Sequence, residues 1–318
     1  MTETILQLRA DEVWSALEVI DPVAVLAEEL IGRTIGRERH DRRLGRLTPW
    51  TGPSLPDTHA DQVVLEHPGA SVTCVAPAAT LRMSQSAALA ALAARELLVS
   101  GGVTVAMLGA SELTQPQLAV IARHVPDISH VAMCLATVGD SKRLMPRLID
   151  QLELSGIGLS VVTSLADTVF GANLVIAASD GAMAQDLDRL RLSRLARGTV
   201  LINATGRDLP IDLVDRVDQV YVDDLGLLEA NCDRYVVAAH LAGSGSTVEV
   251  GGGRDPRIAA DIGQLLTGRH RGRRQVDDVV LVELLGVNEL NTELMYRIYQ
   301  AARRHGLGVT RTGMETHV

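Results

Sequence analysis

Short apolar runs alternate with helix-like segments between residues 103 and 222, and this alternation constrains the possible folds of the chain more than any other feature. The apolar runs predict strands at 103–108, 130–135, 157–162, 173–177, 199–203 and 218–222. The intervening segments predict helices at about 114–124, 141–154, 165–170 and 183–194. Strands that alternate with helices form parallel sheets, because each helix carries the chain back to start the next strand. We therefore predict an α/β fold with a Rossmann-like, doubly wound parallel sheet.

The segments on either side of this series predict a second, discontinuous unit. Helices are expected from Asp11 to about Ile35 and at 84–99, 256–267 and 288–305, and strands at 62–65, 71–75 and 278–285. The first two of these strands flank Pro68-Gly69, which predicts a hairpin. The predicted division is an α+β substrate-binding and dimerisation domain at 1–101 and 287–318, with a Rossmann-like dinucleotide-binding domain at 102–286.

Composition excludes several classes of function. The net charge is −9, and one Phe, two Trp and four Tyr leave few platforms for stacking bases, so nucleic acid is not an expected partner. The basic segment 269–274 predicts a solvated loop. Three scattered cysteines without a CxxC pair, and histidines without paired spacing, predict no metal site. No apolar run approaches the roughly 20 residues of a membrane-spanning helix, so we predict no membrane span and expect a cytoplasmic protein.

The first predicted strand of the parallel sheet leads into a turn of the kind that binds dinucleotides. After Leu108 the chain reads Gly109-Ala-Ser111-Glu-Leu-Thr114, where such folds place a glycine-rich turn under the pyrophosphate. Gly109, Ser111 and Thr114 are therefore candidate cofactor-binding residues. Ser111 stands where a second glycine would be expected, and similar turns occur in α/β proteins that bind no nucleotide. Nucleotide binding and a plain connection both stay open.

The end of the second strand bears on which cofactor would bind. Cys134-Leu-Ala-Thr137 lacks the acidic residue that usually contacts the adenosine ribose hydroxyls of NAD. Thr137, Ser141, Lys142 and Arg143 are candidates to contact a 2′-phosphate instead, so NADP is predicted over NAD if a nicotinamide cofactor binds. The alternative is that Ser141 caps a helix whose exposed face carries Lys142 and Arg143.

Three segments resemble the ornithine cyclodeaminase/mu-crystallin family. They are the alanine-rich helix 87–98, the strand and loop Gly198-Thr-Val-Leu-Ile-Asn203-Ala-Thr-Gly206-Arg-Asp208, and the stretch from Ile262 to Gly286, and their order and spacing agree over roughly residues 10–310. The resemblance implies a homodimer in which the two ends of the chain form a domain around the Rossmann-like middle. It also implies oxidation or reduction of the C–N bond at the α-carbon of an amino acid or cyclic imine, with NAD or NADP as cofactor.

The same resemblance assigns roles to residues after the strand 199–203. Asp208 matches the family's catalytic aspartate, which handles protons at the substrate nitrogen, and Asn203 and Gly206 are candidate cofactor-binding residues. From the sequence alone, Asp208 follows a buried strand at the expected carboxyl edge of the sheet, where partial burial would suit it to proton transfer. The alternative is that Asp208 caps the helix-like turn 209–212.

Other positions depart from the family. Gln85 stands where the family has an arginine that binds the substrate carboxylate, and a neutral amide cannot form the charged bidentate pair. Arg82, one helical turn earlier, is either a substitute for that arginine or an ordinary surface residue. The family's substrate-facing lysine is missing, since Lys142 is the only lysine in the chain. Asn291 stands where many members have an aspartate near the nicotinamide.

Three functions are compatible with these features. The first is an NAD(P)-dependent reductase or dehydrogenase that acts on an imine or an amino-acid-like substrate, with Asp208 in proton transfer. The second is a non-catalytic dimeric homologue that serves another enzyme as a binding partner or scaffold. The third is an enzyme that uses the same cleft for acid–base or lyase chemistry without nicotinamide. We favour the first, and nicotinamide binding discriminates it from the other two.

Overall fold

The computed structural model describes residues 4–36, 45–49, 61–66, 72–109, 115–134, 144–178, 190–244, 258–286 and 288–312. The strands are β1 (Thr4–Gln7), β2 (Arg46–Pro49), β3 (Gln62–Glu66), β4 (Val72–Pro77), β5 (Val103–Leu108), β6 (Ile128–Cys134), β7 (Gly158–Val162), β8 (Leu174–Ala177), β9 (Val200–Asn203), β10 (Gln219–Val222), β11 (Ile258–Asp261), β12 (Val280–Glu283) and β13 (Val309–Thr312). The α-helices are α1 (Ala10–Val19), α2 (Pro22–Thr34), α3 (Ala78–Leu97), α4 (Gln115–His124), α5 (Pro146–Leu154), α6 (Leu165–Val169), α7 (Ile211–Val214), α8 (Tyr235–Ser244), α9 (Ile262–Leu266) and α10 (Asn288–His305).

The chain folds into two compact units. One consists of Met1–Gln85 and Val287–Val318, and the other of Ser86–Gly286. The α/β fold class predicted from the sequence is confirmed, with a parallel sheet in the second unit and a mixed sheet in the first. Among the described helices, none combines the length and the apolar character that crossing a membrane requires.

The second unit is built on eight parallel strands in the order β11-β10-β12-β9-β8-β5-β6-β7. Counted from its own first strand, the run β7-β6-β5-β8-β9 has the order 3-2-1-4-5 of a doubly wound dinucleotide-binding sheet. All four residues of β8, β9, β10 and β12 are buried, as expected for a parallel sheet covered on both faces. The order of the strands reverses next to β5, which puts the carboxyl end of β5 at the position where such sheets bind ligands.

The first unit contains a five-stranded sheet in the order β13-β1-β4-β3-β2. Strand β1 pairs with β4 in parallel and with β13 antiparallel, and the other described pairs in this sheet are antiparallel. Helix α10 packs against α1 and α2. The predicted hairpin is confirmed by the antiparallel pairing of β3 with β4, while its turn at 67–71 lies outside the described residues.

Several predicted helices differ in extent from the observed ones, among them the helix predicted at 84–99, which begins at Ala78. The helix predicted from Asp11 to Ile35 is two helices, because Pro22 starts α2 and Asp21 before it is extended and accepts a hydrogen bond from the Ala24 N–H at 2.9 Å. Proline lacks an N–H and disfavours helical backbone in the preceding residue. The helix predicted at 256–267 begins only at Ile262, since its first described residues form β11.

One arginine of the basic segment is part of the protein interior. The guanidinium of Arg273 donates to the carbonyl oxygens of Leu97 and Gly198, each at 2.9 Å, and to that of Asp278. Burial lowers the pKa of Arg273, while the nearby Asp278 opposes that change. The prediction that all of 269–274 is a solvated loop is therefore wrong for Arg273, which ties α3 to the amino-terminal ends of β9 and β12.

Candidate functional site

Polar side chains collect at the carboxyl ends of three neighbouring strands of the parallel sheet. Asn203 ends β9, Glu283 ends β12, and Asp223 directly follows β10. Glu283 is in register with Asn203 on one side and with Val222 on the other. All three polar side chains are buried among otherwise apolar strands. Because ligands bind beyond the carboxyl ends of strands in open α/β sheets, this cluster is the candidate site in the second unit.

Arg234 connects this cluster to the loop that carries Asp208. Its Nη2 donates to Oε2 of Glu283 at 2.7 Å and to the carbonyl oxygen of Arg207 at 2.9 Å. Its Nε donates to Oδ1 of Asp208 at 3.1 Å. The Arg234 side chain is only 11% exposed, so the guanidinium is held between two carboxyl groups in a largely buried position.

Asn203 shapes the loop between β9 and Asp208. Its Nδ2 donates to the carbonyl oxygen of Arg207 at 2.7 Å and to Oε2 of Glu283 at 2.8 Å. Its Oδ1 accepts hydrogen bonds from the backbone N–H and the hydroxyl of Thr205. The structure thus gives Asn203 a role in organising the loop, and its predicted contact with a cofactor stays a prediction.

Asp208 lies next to the amino-terminal end of α8, and its side chain is exposed. Its Oδ1 accepts from Nε of Arg234 and from the backbone N–H of Tyr235 at 3.0 Å. The side chain is 44% exposed, so the partial burial expected from the sequence is absent. The alternative prediction, that Asp208 caps the turn 209–212, is also wrong. Pro210 occupies that cap position and makes no side-chain hydrogen bond there. Asp208 instead accepts a hydrogen bond from the N–H of Tyr235, the first residue of α8.

Glu283 is the most strongly perturbed acid of the cluster. Burial raises its pKa to about 8, although the charge of Arg234 and the hydrogen bond from Asn203 favour the ionised form. The nearby carboxyl groups of Asp208 and Asp223 raise it further. Its Oε1 has no hydrogen-bond partner among the described residues. A large fraction of Glu283 is therefore protonated at neutral pH.

Asp223 holds the backbone that follows β12. Its carboxylate accepts hydrogen bonds from the N–H groups of Leu285 at 3.0 Å and Gly286 at 2.8 Å. Burial raises the pKa of Asp223 to about 6, and these backbone hydrogen bonds counteract part of that rise. Asp224 turns away and accepts from the Gly226 N–H. Within the described ranges, no group of three or more His, Cys, Asp or Glu residues is placed to hold a metal ion.

Gly109 follows the central strand β5 at the point where the strand order reverses. It has a φ of +84°, which side-chain-bearing residues rarely adopt, and it is buried. The N–H of Ala178 donates to the Leu108 carbonyl oxygen, which joins the end of β8 to the end of β5. This backbone fits the tight turn that a dinucleotide requires. The candidate residues Ser111, Thr114, Thr137, Lys142 and Arg143 lie outside the described residues.

Gly206, the remaining candidate in the second unit, lies in the loop between β9 and Asp208. It is exposed with a φ of +69°, and a Cβ added there would meet nothing within 4 Å. The loop therefore has open space at this position, and a cofactor contact by Gly206 stays a prediction.

Three sequence-predicted residues belong to or border the first unit. In α3, Arg82 is exposed, whereas Gln85 is buried at 3% exposure. Asn291 in α10 is buried, and its Oδ1 has no hydrogen-bond partner among the described residues. Arg82 and Gln85 were the two candidates for binding a substrate carboxylate, and of these the charged Arg82 is the accessible one.

Sequence reasoning missed Arg234 and Glu283. Glu283 is a single acid inside the apolar run 279–285, which was the available signal that this strand carries more than packing. Arg234 gave no signal, because it stands in a loop and contacts Asp208 and Glu283 only as a result of the strand order.

A family model described as the ornithine cyclodeaminase/mu-crystallin family matches residues 52–305. No curated protein sequence matches the chain. Among solved structures, CmnK is similar, with a TM-score of 0.70 and 18% identity over 99% of both chains. The Thermococcus litoralis Delta(1)-pyrroline-2-carboxylate reductase in complex with NADH and L-proline has a TM-score of 0.68 and 14% identity, over 96% of this chain and 99% of that one. A lysine cyclodeaminase that recognises L-lysine, L-ornithine and L-2,4-diamino butyric acid has a TM-score of 0.68 and 14% identity, over 98% and 96% of the two chains. At these identities the likeness concerns the fold.

Proposed function

We propose that this chain, which belongs to the ornithine cyclodeaminase/mu-crystallin family, is a nicotinamide-dependent oxidoreductase that acts on the C–N bond of an imine or amino-acid-like substrate. The observation that carries the proposal is Gly109, with its positive φ, at the carboxyl end of the central strand of a sheet in dinucleotide-binding order. The similar pyrroline-carboxylate reductase with bound NADH supports the same kind of cofactor for this fold.

Gly109 is the described residue that would hold the cofactor. A turn without a Cβ at this position allows the pyrophosphate to approach the backbone closely, and the amino-terminal end of the helix that follows favours its negative charge. When bound, a nicotinamide would give a hydride to the substrate α-carbon or take one from it. NADP is proposed over NAD because Cys134, at the end of β6, is not followed directly by the acidic residue that binds the ribose hydroxyls.

Asp208 is proposed to act on the substrate nitrogen. As one half of the ion pair with Arg234, its carboxylate carries a negative charge that attracts a protonated amine or iminium. Oδ1 already accepts two hydrogen bonds, and the side chain is 44% exposed, so Oδ2 is the oxygen available to accept a proton from the substrate or return it.

Arg82 is proposed to bind the substrate carboxylate. It is exposed, it is permanently charged, and it lies in the first turns of the long helix α3, where the helix dipole also favours an anion. Gln85 is buried and neutral, which makes it the weaker candidate. Arg82→Gln should therefore raise KM for a carboxylate-bearing substrate by about tenfold or more while the affinity for cofactor stays unchanged.

Calorimetric titration with NADPH and with NADH tests the central claim, because it requires no knowledge of the substrate. We expect micromolar binding of at least one cofactor and about tenfold weaker binding to Gly109→Ala, whose new Cβ strains the turn and crowds the phosphates. Gly156→Ala is the matched control, since Gly156 has a φ of +68° in a turn before β7, with nothing within 4 Å of an added Cβ.

Absence of binding at millimolar NADPH and NADH would overturn the proposal. It would leave the other two interpretations, a non-catalytic homologue that binds a partner enzyme or a cofactor-free acid–base enzyme. The homodimer implied by the family resemblance belongs to the same proposal, and light scattering during size-exclusion chromatography tests it directly.

A further inference from the structure

We infer that Arg234 is a positioning residue that fixes the orientation of the Asp208 carboxylate, and that Glu283 and Asn203 hold Arg234 in place for this purpose. The inference rests on the proposed function, in which Asp208 handles the proton at the substrate nitrogen. It assigns a role to Arg234, which lies outside all three segments that resemble the family.

The geometry of the guanidinium supports this role. Nε contacts Oδ1 of Asp208 at 3.1 Å, while Nη2 contacts Oε2 of Glu283 at 2.7 Å and the Arg207 carbonyl oxygen at 2.9 Å. The planar guanidinium is fixed at one end to Glu283 on a buried strand. The position of its other end, which contacts Asp208, is therefore defined. The Arg207 contact also holds the backbone of the residue directly before Asp208.

Glu283 and Asn203, which hold Arg234, are more rigid than Asp208, which Arg234 positions. Glu283 and Asn203 are 1% and 0% exposed at the ends of neighbouring strands, and they are joined by a 2.8 Å hydrogen bond. The Asp208 side chain is 44% exposed and lies in a loop. An exposed carboxylate on a loop samples several rotamers unless its partners restrict it, so the buried arginine transfers the rigidity of the sheet to this side chain.

A fixed Oδ1 leaves Oδ2 as the oxygen for proton exchange. The backbone N–H of Tyr235 and Nε of Arg234 both donate to Oδ1. A second hydrogen bond from the amino terminus of α8 adds to the orientation, and no hydrogen bond to Oδ2 is found in the described part of the chain. Catalytic groups need placement within a few tenths of an ångström, so loss of the anchor should affect turnover more than binding.

Arg234→Lys tests the inference, because lysine keeps the charge but cannot span Asp208 and Glu283 with one planar group. We expect kcat to fall by about tenfold or more, with KM for the substrate changed by less than about threefold. Calorimetric affinity for the cofactor should not change. Arg297→Lys is the matched control, since Arg297 forms an ion pair with Glu293 on α10.

An unchanged kcat in Arg234→Lys, or a loss of kcat matched by an equal rise in KM, would overturn the inference and leave the cluster with a structural role alone. If the wild-type protein turns over no nicotinamide substrate, the proposed function fails, and a double-mutant cycle of Arg234→Lys with Asp208→Asn still decides the inference. Coupling that changes the unfolding equilibrium constant by about fivefold or more supports a fixed contact, and additive effects overturn it.

Discussion

Replacing Glu283 with glutamine removes a buried carboxyl group that makes the stability of the parallel sheet depend on pH. Burial raises the pKa of Glu283 from its usual 4.5 to about 8, against the effects of Arg234 and Asn203. In this range the folded chain keeps a proton that the unfolded chain releases. The stabilisation by this group is therefore complete below about pH 4.5 and is lost progressively as the pH rises through about 8.

The magnitude follows from the two pKa values. A difference of one pH unit corresponds to about 1.4 kcal/mol, so the full change amounts to roughly 5 kcal/mol of unfolding free energy. This is an upper limit, because water that enters around the charged carboxylate reduces its cost. Between about pH 5 and about pH 8, the wild-type protein should lose roughly 3 kcal/mol that the Glu283→Gln variant keeps.

Glutamine is a suitable replacement because of how the two carboxyl oxygens are used. Oε2 accepts both hydrogen bonds, from Arg234 and Asn203, while Oε1 has no partner among the described residues. The amide can place its carbonyl oxygen at the Oε2 position and its NH2 group at the Oε1 position. Glu283→Gln thus imitates the protonated acid and does not titrate.

Amide hydrogen exchange of β9 and β12 measures the opening free energy of this sheet even if the two units unfold separately. We expect wild type and variant to agree within about 1 kcal/mol near pH 5, and the variant to be more stable by roughly 3 kcal/mol near pH 8. Asp223 also titrates, but it is present in both proteins, so only its interaction with Glu283 contributes to the difference. A difference that stays constant with pH, or a variant less stable at both values, would refute the reasoning and indicate an ionised Glu283.

Three further predictions concern stability and reactivity. Arg273→Ala should lower the unfolding free energy by about 3 kcal/mol or more, because three carbonyl oxygens lose their donor, and a denaturation midpoint equal to wild type would contradict this. Gly308→Ala should lower the unfolding free energy by roughly 2–4 kcal/mol, because Gly308 has a φ of +85° and the new Cβ would lie 2.6 Å from a Leu8 methyl group. Gly306 has a φ of +66° in open space, so Gly306→Ala should lower it by only about 1 kcal/mol, as thermal unfolding can measure. One thiol, that of the exposed Cys232, should react quickly with a thiol reagent in the folded protein, since the other two cysteines are buried; rapid labelling of a second would contradict the structure.

The sequence was sufficient to predict the central strands of the parallel sheet because these strands are largely apolar. The run 103–108 matches β5 residue for residue, and the runs for β8 and β9 are correct within one residue. All residues of β8 and β9 are buried, so the signal of these strands depends little on context. The order of the strands was expected only as a class, because which strands become neighbours is a non-local property of the fold.

Short strands at or next to the edges of the five-stranded sheet could not be predicted in this way. β1, β2 and β13 have four residues each, and two of them are built around charged or polar positions. Such segments become strands because a partner is present, which no local pattern reports. The segment that forms β11 was assigned to a helix for the same reason, because it becomes a strand only by pairing with β10.

The same distinction applies to the candidate site: residues at the ends of recognisable strands could be predicted, and residues whose role depends on a long-range contact could not. Gly109, Asn203 and Asp208 could be proposed because they lie at or after the ends of strands that could be recognised. Arg234 and Glu283 were missed because their importance depends on a contact between residues 49 positions apart. The expected burial of Asp208 was wrong, since strand position predicts the edge of a sheet but not how far a loop extends into solvent.

The antiparallel pairing of β1 with β13 joins Thr4 to Thr312, which has a consequence for synthesis on the ribosome. Residues 86–286 contain every strand of the parallel sheet and can fold as they emerge. Strand β1 leaves the exit tunnel well before β13 and lacks this partner for the translation of some 300 residues, or roughly 15–60 s at typical elongation rates. During that interval β1 has an unprotected edge, so nascent-chain chaperones should engage β1, and shortening the chain before β13 should prolong that engagement.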